Sequence, residues 1–277
     1  MLPAWLRQNP LKRALEARLF SFTGRTIHSR FYNAYKECEL ARLLSLPFVP
    51  EKLPAGYGRW LDERLVEYPW CFSRLPEAPG RLLDAGSVLN FKLILDQPRL
   101  RNKNITIMTL APEANSFPRE NVSYVYGDLR HTSFAEGYFD TVVSLSTIEH
   151  IGLDNTVFYT SDASKKENNP RAYLDAITEF RRVLKPGGVC LISVPYGKAA
   201  VRGWLQIFDG PMVDSIVDRF QPQSHSVTYF RYSEACGWAL SSREDARAAA
   251  YCDVHSDTPW PGGPAAAEAV ACIEMRG

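Results

Sequence analysis

The sequence lacks several features that would place a chain of this size in a class directly. Its six cysteines are scattered, with no Cys-x-x-Cys pair and no His/Cys cluster of zinc spacing, so we expect reduced thiols and no zinc site. Basic and acidic residues nearly balance at a formal net charge of +1, which gives no reason to expect nucleic acid as a partner. At 277 residues, 45% of them hydrophobic, the chain is long enough for one large core and an appendage.

Long apolar runs are also missing. No run approaches the roughly 20 residues that a membrane-spanning helix needs. The N-terminus carries basic residues but neither a continuous apolar stretch nor a small-residue cleavage site, so a secretory signal is not expected. Together with the reduced thiols, these absences predict a cytoplasmic protein.

Residues 1–78 are predicted to form a helical extension ahead of a main domain that covers residues 79–277. Leu11, Leu15 and Leu19 recur at helical spacing with arginines between them. The first 30 residues contain six basic side chains, which are Arg7, Lys12, Arg13, Arg18, Arg25 and Arg30, against one acid, Glu16. Two interpretations stay open: a helical cap packed on the main domain, or a basic amphipathic surface for a partner protein or for the anionic lipid of the inner membrane.

From residue 81 onward, short apolar runs alternate with helical patterns. Strands are predicted at 82–83, 105–110, 122–126, 141–145 and 189–194, with edge strands at 227–232 and 269–274. Helices are predicted over 88–95 and from Asn169-Pro170 to Leu184, the second ended by Pro186-Gly187-Gly188. Apolar strands separated by helices indicate a parallel sheet covered on both faces. We therefore predict an α/β, Rossmann-like, doubly wound and mostly parallel sheet of seven strands.

Ligands of such sheets bind beyond the carboxyl ends of the strands, at the point where the strand order reverses. This rule gathers five segments around one crevice: 84–90, 109–113, Asp128, 144–152 and 195–198. Gly86 would allow a tight turn there. Asp128 could accept a hydrogen bond from an exocyclic amine. Taken singly, the glycine could equally be an ordinary turn residue and the aspartate an ordinary loop acid.

The order of these motifs resembles the class I methyltransferases that use S-adenosylmethionine (SAM). Leu-Leu-Asp84-Ala-Gly86 resembles the first motif of that family, Gly127-Asp128-Leu129 its adenine-contacting motif, and Leu-Lys-Pro-Gly-Gly188 its turn before the fifth strand. The resemblance implies SAM as the cofactor. It also implies a set of cofactor-binding residues, which are Asp84, Gly86, Ser87, Thr109, Asp128, Leu129 and Ser146.

A narrower resemblance covers most of the chain after residue 80. Segments 84–90, 109–113, 124–130, 146–155, 194–198 and 203–209 are similar to a bacterial subset of these enzymes that is often associated with surface-polysaccharide biosynthesis. This resemblance implies a sugar or glycan intermediate as the methyl acceptor.

Two positions depart from the broad family pattern. The first-motif loop has Ser87 and then Val88 where further glycines are usual, and the second strand ends in Thr109 rather than in an acid that holds the ribose hydroxyls. Either Glu113 reaches back to take that part, or the ribose is held otherwise.

Methyl transfer to a sugar hydroxyl needs a base, since a neutral hydroxyl is a poor nucleophile. His150, just beyond the fourth strand, is the leading candidate because imidazole titrates near neutral pH. Glu149 is predicted to orient the imidazole or to assist it. His131 and Asp209 are second-rank bases. The alternative for His150 is a structural histidine bonded to a backbone carbonyl.

Substrate-binding residues are predicted in the segment after the fifth strand. Tyr196 and Trp204 could line an acceptor pocket with aromatic faces, the alternative being plain core packing. Lys198 and Asp209 complete the predicted set, and Lys198 could also anchor an acidic acceptor together with Arg202 and Arg130.

Three functions compete, and no metal is predicted because Glu149, His150, Asp154 and Asp209 match no standard ligand spacing. The first function is a SAM-dependent O-methyltransferase. The second is a non-catalytic methyltransferase-like docking module, which the missing glycines favour. The third is a nicotinamide-dependent oxidoreductase, which is disfavoured because no Gly-x-Gly-x-x-Gly motif follows the first strand.

Overall fold

The structure is a computed structural model that describes residues 10–20, 22–23, 29–113, 115–253 and 266–277. Arg7 and Arg25 of the predicted basic segment lie outside these ranges. The helices are α1 (Pro10–Phe20), α2 (Arg30–Leu44), α3 (Arg64–Arg74), α4 (Lys92–Leu95), α5 (Tyr173–Val183), α6 (Gly210–Phe220) and α7 (Arg243–Ala246). None of the helices in these ranges is long and apolar enough to cross a membrane.

The strands are β1 (Gly80–Ala85), β2 (Lys103–Thr109), β3 (Val122–Tyr126), β4 (Phe139–Leu145), β5 (Leu184–Pro195), β6 (Ala200–Val201), β7 (Gln206–Ile207), β8 (Ser224–Ser233), β9 (Gly237–Ser241) and β10 (Ala269–Arg276). Within the described residues, eight of them form one sheet in the order β3-β2-β1-β4-β5-β10-β8-β9. Strands β1 to β5 pair in parallel, whereas β10 runs antiparallel to both of its neighbours and β9 antiparallel to β8. The Rossmann-like architecture is confirmed. The predicted count of seven strands is wrong, because β9 adds an edge strand.

Four element predictions also need correction. The strand expected at an edge over 227–232 is β8, which lies between β10 and β9. Ala269–Arg276 is no edge strand but lies between β5 and β8, where its apolar side chains are covered on both faces. The helix expected over 88–95 is reduced to the single turn of α4, because the Asp84 carboxylate accepts hydrogen bonds from the N–H groups of Val88 and Leu89 and folds that stretch into a loop. Helix α5 begins three residues after Pro170 and ends before the Pro-Gly-Gly turn, which continues into β5.

Alternate residues of the central strands face two separate hydrophobic cores. Leu82 of β1 packs in the same cluster as Leu65 and Trp70 of α3, whereas its neighbour Leu83 packs in a cluster with Phe180 of α5. Both faces are therefore buried, which is why these strands are apolar without polar alternation. The N-terminal segment supplies helices to one of the two layers, and its boundary at residue 78 stays a prediction.

One buried carboxylate ties α3 to the ends of two strands. The fully buried Glu67 accepts hydrogen bonds through Oε1 from the hydroxyls of Ser146 and Ser193, both at 2.6 Å, just after β4 and within β5. Its Oε2 accepts from the Arg64 guanidinium at 2.6 Å, and Arg64 also donates to the carbonyl of Leu145. Every oxygen of this buried group is thus engaged, which is the condition under which a buried charge is tolerated.

We expect Glu67→Ala to lower the free energy of unfolding by about 3–5 kcal/mol, because it leaves the Arg64 charge buried without its partner. The measurement is urea denaturation followed by tryptophan fluorescence. Glu77→Ala is the matched control, since Glu77 is 84% exposed and forms only a surface ion pair with Arg99, so no measurable change is expected. Equal stability of the two variants would contradict the structural role given to Glu67.

Candidate functional site

A pocket of about 300 Å³ opens beyond the carboxyl ends of the parallel strands, where the strand order reverses at β1 and β4. This is the position expected for the ligand of a doubly wound sheet. Seven of the predicted site residues line it: Gly86, Ser87, Thr109, Asp128, Leu129, Ser146 and His150.

The loop after β1 is built around two residues with left-handed backbone conformations. Gly86 has φ +116°, and a Cβ there would lie 2.2 Å from the side chain of Thr147, so only glycine fits. Ser87 has φ +62°, a conformation more usual for glycine. The loop therefore keeps a tight turn even though serine stands where the family pattern has glycine.

Asp84 lies behind this loop rather than in the pocket wall. It is fully buried, and its carboxylate accepts hydrogen bonds from Val88 N at 3.1 Å and Leu89 N at 2.9 Å. Burial raises the pKa of Asp84 to about 7, against the lowering effect of these two bonds. Its observed contacts shape the loop, and its predicted part in cofactor binding would be indirect.

Glu113 lies on the pocket wall beside the same loop. Its Oε2 accepts hydrogen bonds from the Ser87 hydroxyl at 2.9 Å and from the Asn90 amide at 3.2 Å, and Asn90 is held in turn by the hydroxyl of Tyr124. Of the two alternatives left open by the sequence, this geometry favours the one in which Glu113 reaches back to replace an acid at the end of β2.

Asp128, at the far side of the pocket, is bound by neighbouring cations. Arg130 donates to both of its carboxylate oxygens, at 2.9 and 2.7 Å, and Lys165 lies 3.5 Å away. Arg130 is fixed from behind by two hydrogen bonds to Glu167, at 2.6 and 2.7 Å. Burial would raise the pKa of Asp128, but the bonds from Arg130 outweigh it and hold the pKa at about 2. The group is therefore a carboxylate at any physiological pH.

His150, on a short 3₁₀ turn after β4, presents a neutral imidazole. Its Nδ1 lies 3.0 Å from the carbonyl oxygen of Trp204, which fixes the proton on Nδ1, and its Nε2 lies 3.3 Å from the Tyr159 hydroxyl. The Trp204 ring stacks on the imidazole at 5.0 Å between centroids. Burial lowers the pKa of His150 to about 4, against the opposing effect of the bond to Trp204.

Glu149 lies next to His150 but does not form the hydrogen bond to the imidazole that its predicted role requires. Its Oε1 is 3.9 Å from His150 Nε2, which is beyond hydrogen-bonding distance, and its buried Oε2 has no hydrogen-bond partner among the described residues. Burial raises the pKa of Glu149 well above its ordinary value. The contact that orients His150 is the Trp204 carbonyl, an atom that every residue type carries and that no sequence pattern reveals.

The predicted substrate-binding residues are not brought together at the pocket. Tyr196 is buried and donates to the carbonyl of Arg243, Lys198 is exposed, and Asp209 caps the N-terminus of α6 by accepting from Met212 N at 3.0 Å. Trp204 is not among the residues that line the pocket, but it contacts His150, which is. His131, the second-rank base, is exposed. The roles of these residues stay predictions.

Other residues of the pocket wall were missed by sequence reasoning. Arg64 and Tyr68 come from α3, in a segment expected to be a cap, and Tyr159, Lys165 and Glu167 come from the loop after β4. The available signal was a set of charges, Glu63, Arg64 and Glu67, within an otherwise apolar helical segment. Within the described ranges, no group of three or more His, Cys, Asp or Glu side chains has the arrangement of a metal site.

In a comparison with protein families, residues 85–192 match the family described as a methyltransferase domain. A comparison of the sequence with curated proteins finds no match.

The chain is also similar to solved structures. A possible histamine N-methyltransferase from Thermotoga maritima is 14% identical, with 94% of this chain and 99% of that chain covered and a TM-score of 0.47. The 1,6-didemethyltoxoflavin-N1-methyltransferase of Burkholderia thailandensis is 13% identical, with 100% and 92% covered and a TM-score of 0.44. At this similarity we take no substrate from either structure.

The family match and the pocket concern the same part of the chain. The matched segment contains the loop at Gly86, the end of β3 at Asp128 and the turn at His150, which together form most of the pocket wall. Residues 85–192 are therefore a methyltransferase domain, an enzyme domain whose cofactor is S-adenosylmethionine.

Proposed function

We propose that this protein is an O-methyltransferase that transfers the methyl group of SAM to a hydroxyl of a sugar or glycan intermediate in polysaccharide biosynthesis. The observation that carries the proposal is a neutral imidazole, His150, on the wall of the same pocket as the SAM-motif residues. Hydroxyl methylation needs this combination, because the nucleophile must lose its proton as the new bond to carbon forms.

The residues at one end of the pocket suit the polar groups of SAM. Glu113 and Asp128 each present a carboxylate, which fits the ribose hydroxyls and the exocyclic amine of adenine respectively. Gly86 and Ser87 form the loop after β1, and Leu129 and Ser146 also line the pocket. When bound, SAM would supply an electrophilic methyl group on a sulfonium centre.

His150 would receive the proton of the acceptor. Its Nδ1–H is committed to the Trp204 carbonyl, so Nε2 carries the lone pair, and this nitrogen already faces a hydroxyl, that of Tyr159. A substrate hydroxyl in the place of the Tyr159 hydroxyl would donate to Nε2 in the same way. Positioning of the two reactants in one pocket would supply much of the remaining rate.

The aromatic residues beside His150 support a sugar as the acceptor. Phe158 and Tyr159 are 45% and 44% exposed, and Phe158 packs edge-on against Trp204 at 4.7 Å. Partly exposed aromatic faces of this kind suit the C–H surfaces of a sugar ring. The resemblance to enzymes of surface-polysaccharide biosynthesis supports the same class, as well as a cytoplasmic location or one at the inner membrane.

One observation favours a second candidate, a non-catalytic docking module. Asp128 is already engaged by Arg130 and Lys165, so an adenine amine would have to share this carboxylate or displace a cation. The oxidoreductase alternative has no such support, since β2 ends in Thr109, whereas nicotinamide sites place an acid near that position.

We expect calorimetric titration to give SAM binding that Asp128→Asn weakens about 10- to 100-fold, because a hydrogen bond to a charged group contributes about 1.5–3 kcal/mol. Asp218→Asn on the exposed side of α6 is the control and leaves affinity unchanged. A wild-type protein that binds neither SAM nor its demethylated product would refute catalysis and favour the docking module. Binding of NADH instead would favour the oxidoreductase.

We expect His150→Ala to reduce kcat by about 10²- to 10⁴-fold on nucleotide-sugar or glycan acceptors while leaving SAM affinity intact. The imidazole is the active form when neutral, and its pKa is about 4, so the wild-type rate should stay level from pH 8 to pH 6 and fall only as the pH approaches 4. The pH–rate profile is the measurement. His225→Ala is the matched control, because His225 is an exposed histidine on β8, and a rate that halves near pH 6.5 would show that His150 is not held neutral in this way.

A further inference from the structure

Helix α1 carries a row of large apolar side chains on its solvent-exposed face. Leu11, Leu15 and Leu19 follow one another at four-residue spacing, and Phe22 continues the same line just beyond the helix. Their exposed fractions are 82%, 59%, 37% and 85%. Single exposed leucines are common on protein surfaces, but a continuous stripe of large apolar side chains usually marks an interaction surface.

The inward face of α1 is fixed by contacts that prevent the leucines from turning in. Phe20 is 1% exposed and packs on Tyr32 and Tyr35 of α2, at 5.8 and 5.0 Å between ring centroids. Two ion pairs join the same faces: Glu16 with Arg30, and Arg13 with Glu37. Helix α1 is thus held against α2 by Phe20 and by its charged residues, and the apolar stripe lies on its exposed face.

The charge around this stripe indicates the kind of partner. The chain has 32 basic and 31 acidic residues; six of the basic ones and one acidic one lie in residues 1–30, so the other 247 residues carry 26 basic and 30 acidic side chains. In the sequence, positive charge is therefore concentrated in residues 1–30, where Arg13 and Arg30 are paired with Glu37 and Glu16 on the inward face of α1. Arg18, between Leu15 and Leu19, is itself exposed.

We propose that the outer face of α1 docks on the surface of an anionic lipid bilayer. An apolar stripe flanked by arginine and lysine is the pattern of a helix that lies in the plane of the membrane interface, with its leucines in the acyl boundary and its cations at the headgroups. A protein partner with an acidic rim, or a second copy of this chain, would be a different occupant of the same face.

The docking helix is linked to the pocket by direct contacts. Tyr32, which packs against Phe20, donates from its hydroxyl to Asp62 Oδ2 at 2.9 Å, and Asp62 Oδ1 accepts from Arg64 N at 3.2 Å. Arg64 lines the pocket. Docking through α1 would therefore hold the pocket in a fixed relation to the membrane, although the inference on docking stands whether or not the proposed methyl transfer is correct.

The test is sedimentation of the full chain with vesicles. We expect binding to vesicles of phosphatidylcholine and phosphatidylglycerol, at least about tenfold weaker binding to phosphatidylcholine alone, and release as salt is raised. The triple variant Leu11→Gln, Leu15→Gln, Leu19→Gln should lose binding to the anionic vesicles, and Arg18→Gln should weaken it.

Leu240→Gln is the matched control, because Leu240 is a 42% exposed leucine on β9, and it should bind like wild type. Circular dichroism and the unfolding temperature check that the variants fold. The proposal is overturned if wild type does not bind the anionic vesicles or if the triple variant binds as well as wild type. Self-association that the triple variant abolishes, without vesicle binding, would identify a second copy as the occupant.

Discussion

The hydrogen bonds of Glu67 are the contact on which the site depends. A carboxylate in a fully buried position is costly unless each of its oxygens is satisfied, and Glu67 finds its partners in Arg64 on its own helix and in Ser146 and Ser193 on two strands. Ser146 directly follows β4 and Ser193 lies near the end of β5, at the edge of the sheet where the pocket opens. The strand ends, the left-handed backbone of Ser146 (φ +41°) and the pocket-facing Arg64 are therefore positioned together.

The balance between burial and hydrogen bonding sets the protonation states of the titratable groups at the pocket. At Asp128, hydrogen bonds from Arg130 outweigh burial and keep the carboxylate ionised, whereas at His150 burial outweighs the single bond to a carbonyl and keeps the imidazole neutral. Glu149, buried without a cation in contact, has a raised pKa. The pocket thus combines an ionised carboxylate, held by Arg130 and Lys165, with a neutral imidazole, and the proposed methyl transfer would use that imidazole as the proton acceptor.

The sequence was sufficient for what depends on local pattern. The apolar run into Asp84 and Gly86 located β1 and its loop, and the order of later motifs predicted the methyltransferase fold and SAM, both of which are confirmed. The position of β10 between β5 and β8 was not predictable, because an apolar strand has a similar sequence at the edge and in the centre of a sheet. The helix expected after Gly86 was replaced by a loop, since Asp84 captures backbone N–H groups that a helix would have used.

The pocket wall was predicted less completely than the fold, for a related reason. Arg64 reaches the site from a helix that precedes the first strand, so only tertiary packing brings it there, and the group that orients His150 is a backbone carbonyl. The same N-terminal segment carries both the pocket-facing Arg64 and the outward leucines of α1. The leucines of α1 and the pocket-facing Arg64 are thus connected through Tyr32 and Asp62, so the proposed docking of α1 would also hold one wall of the pocket.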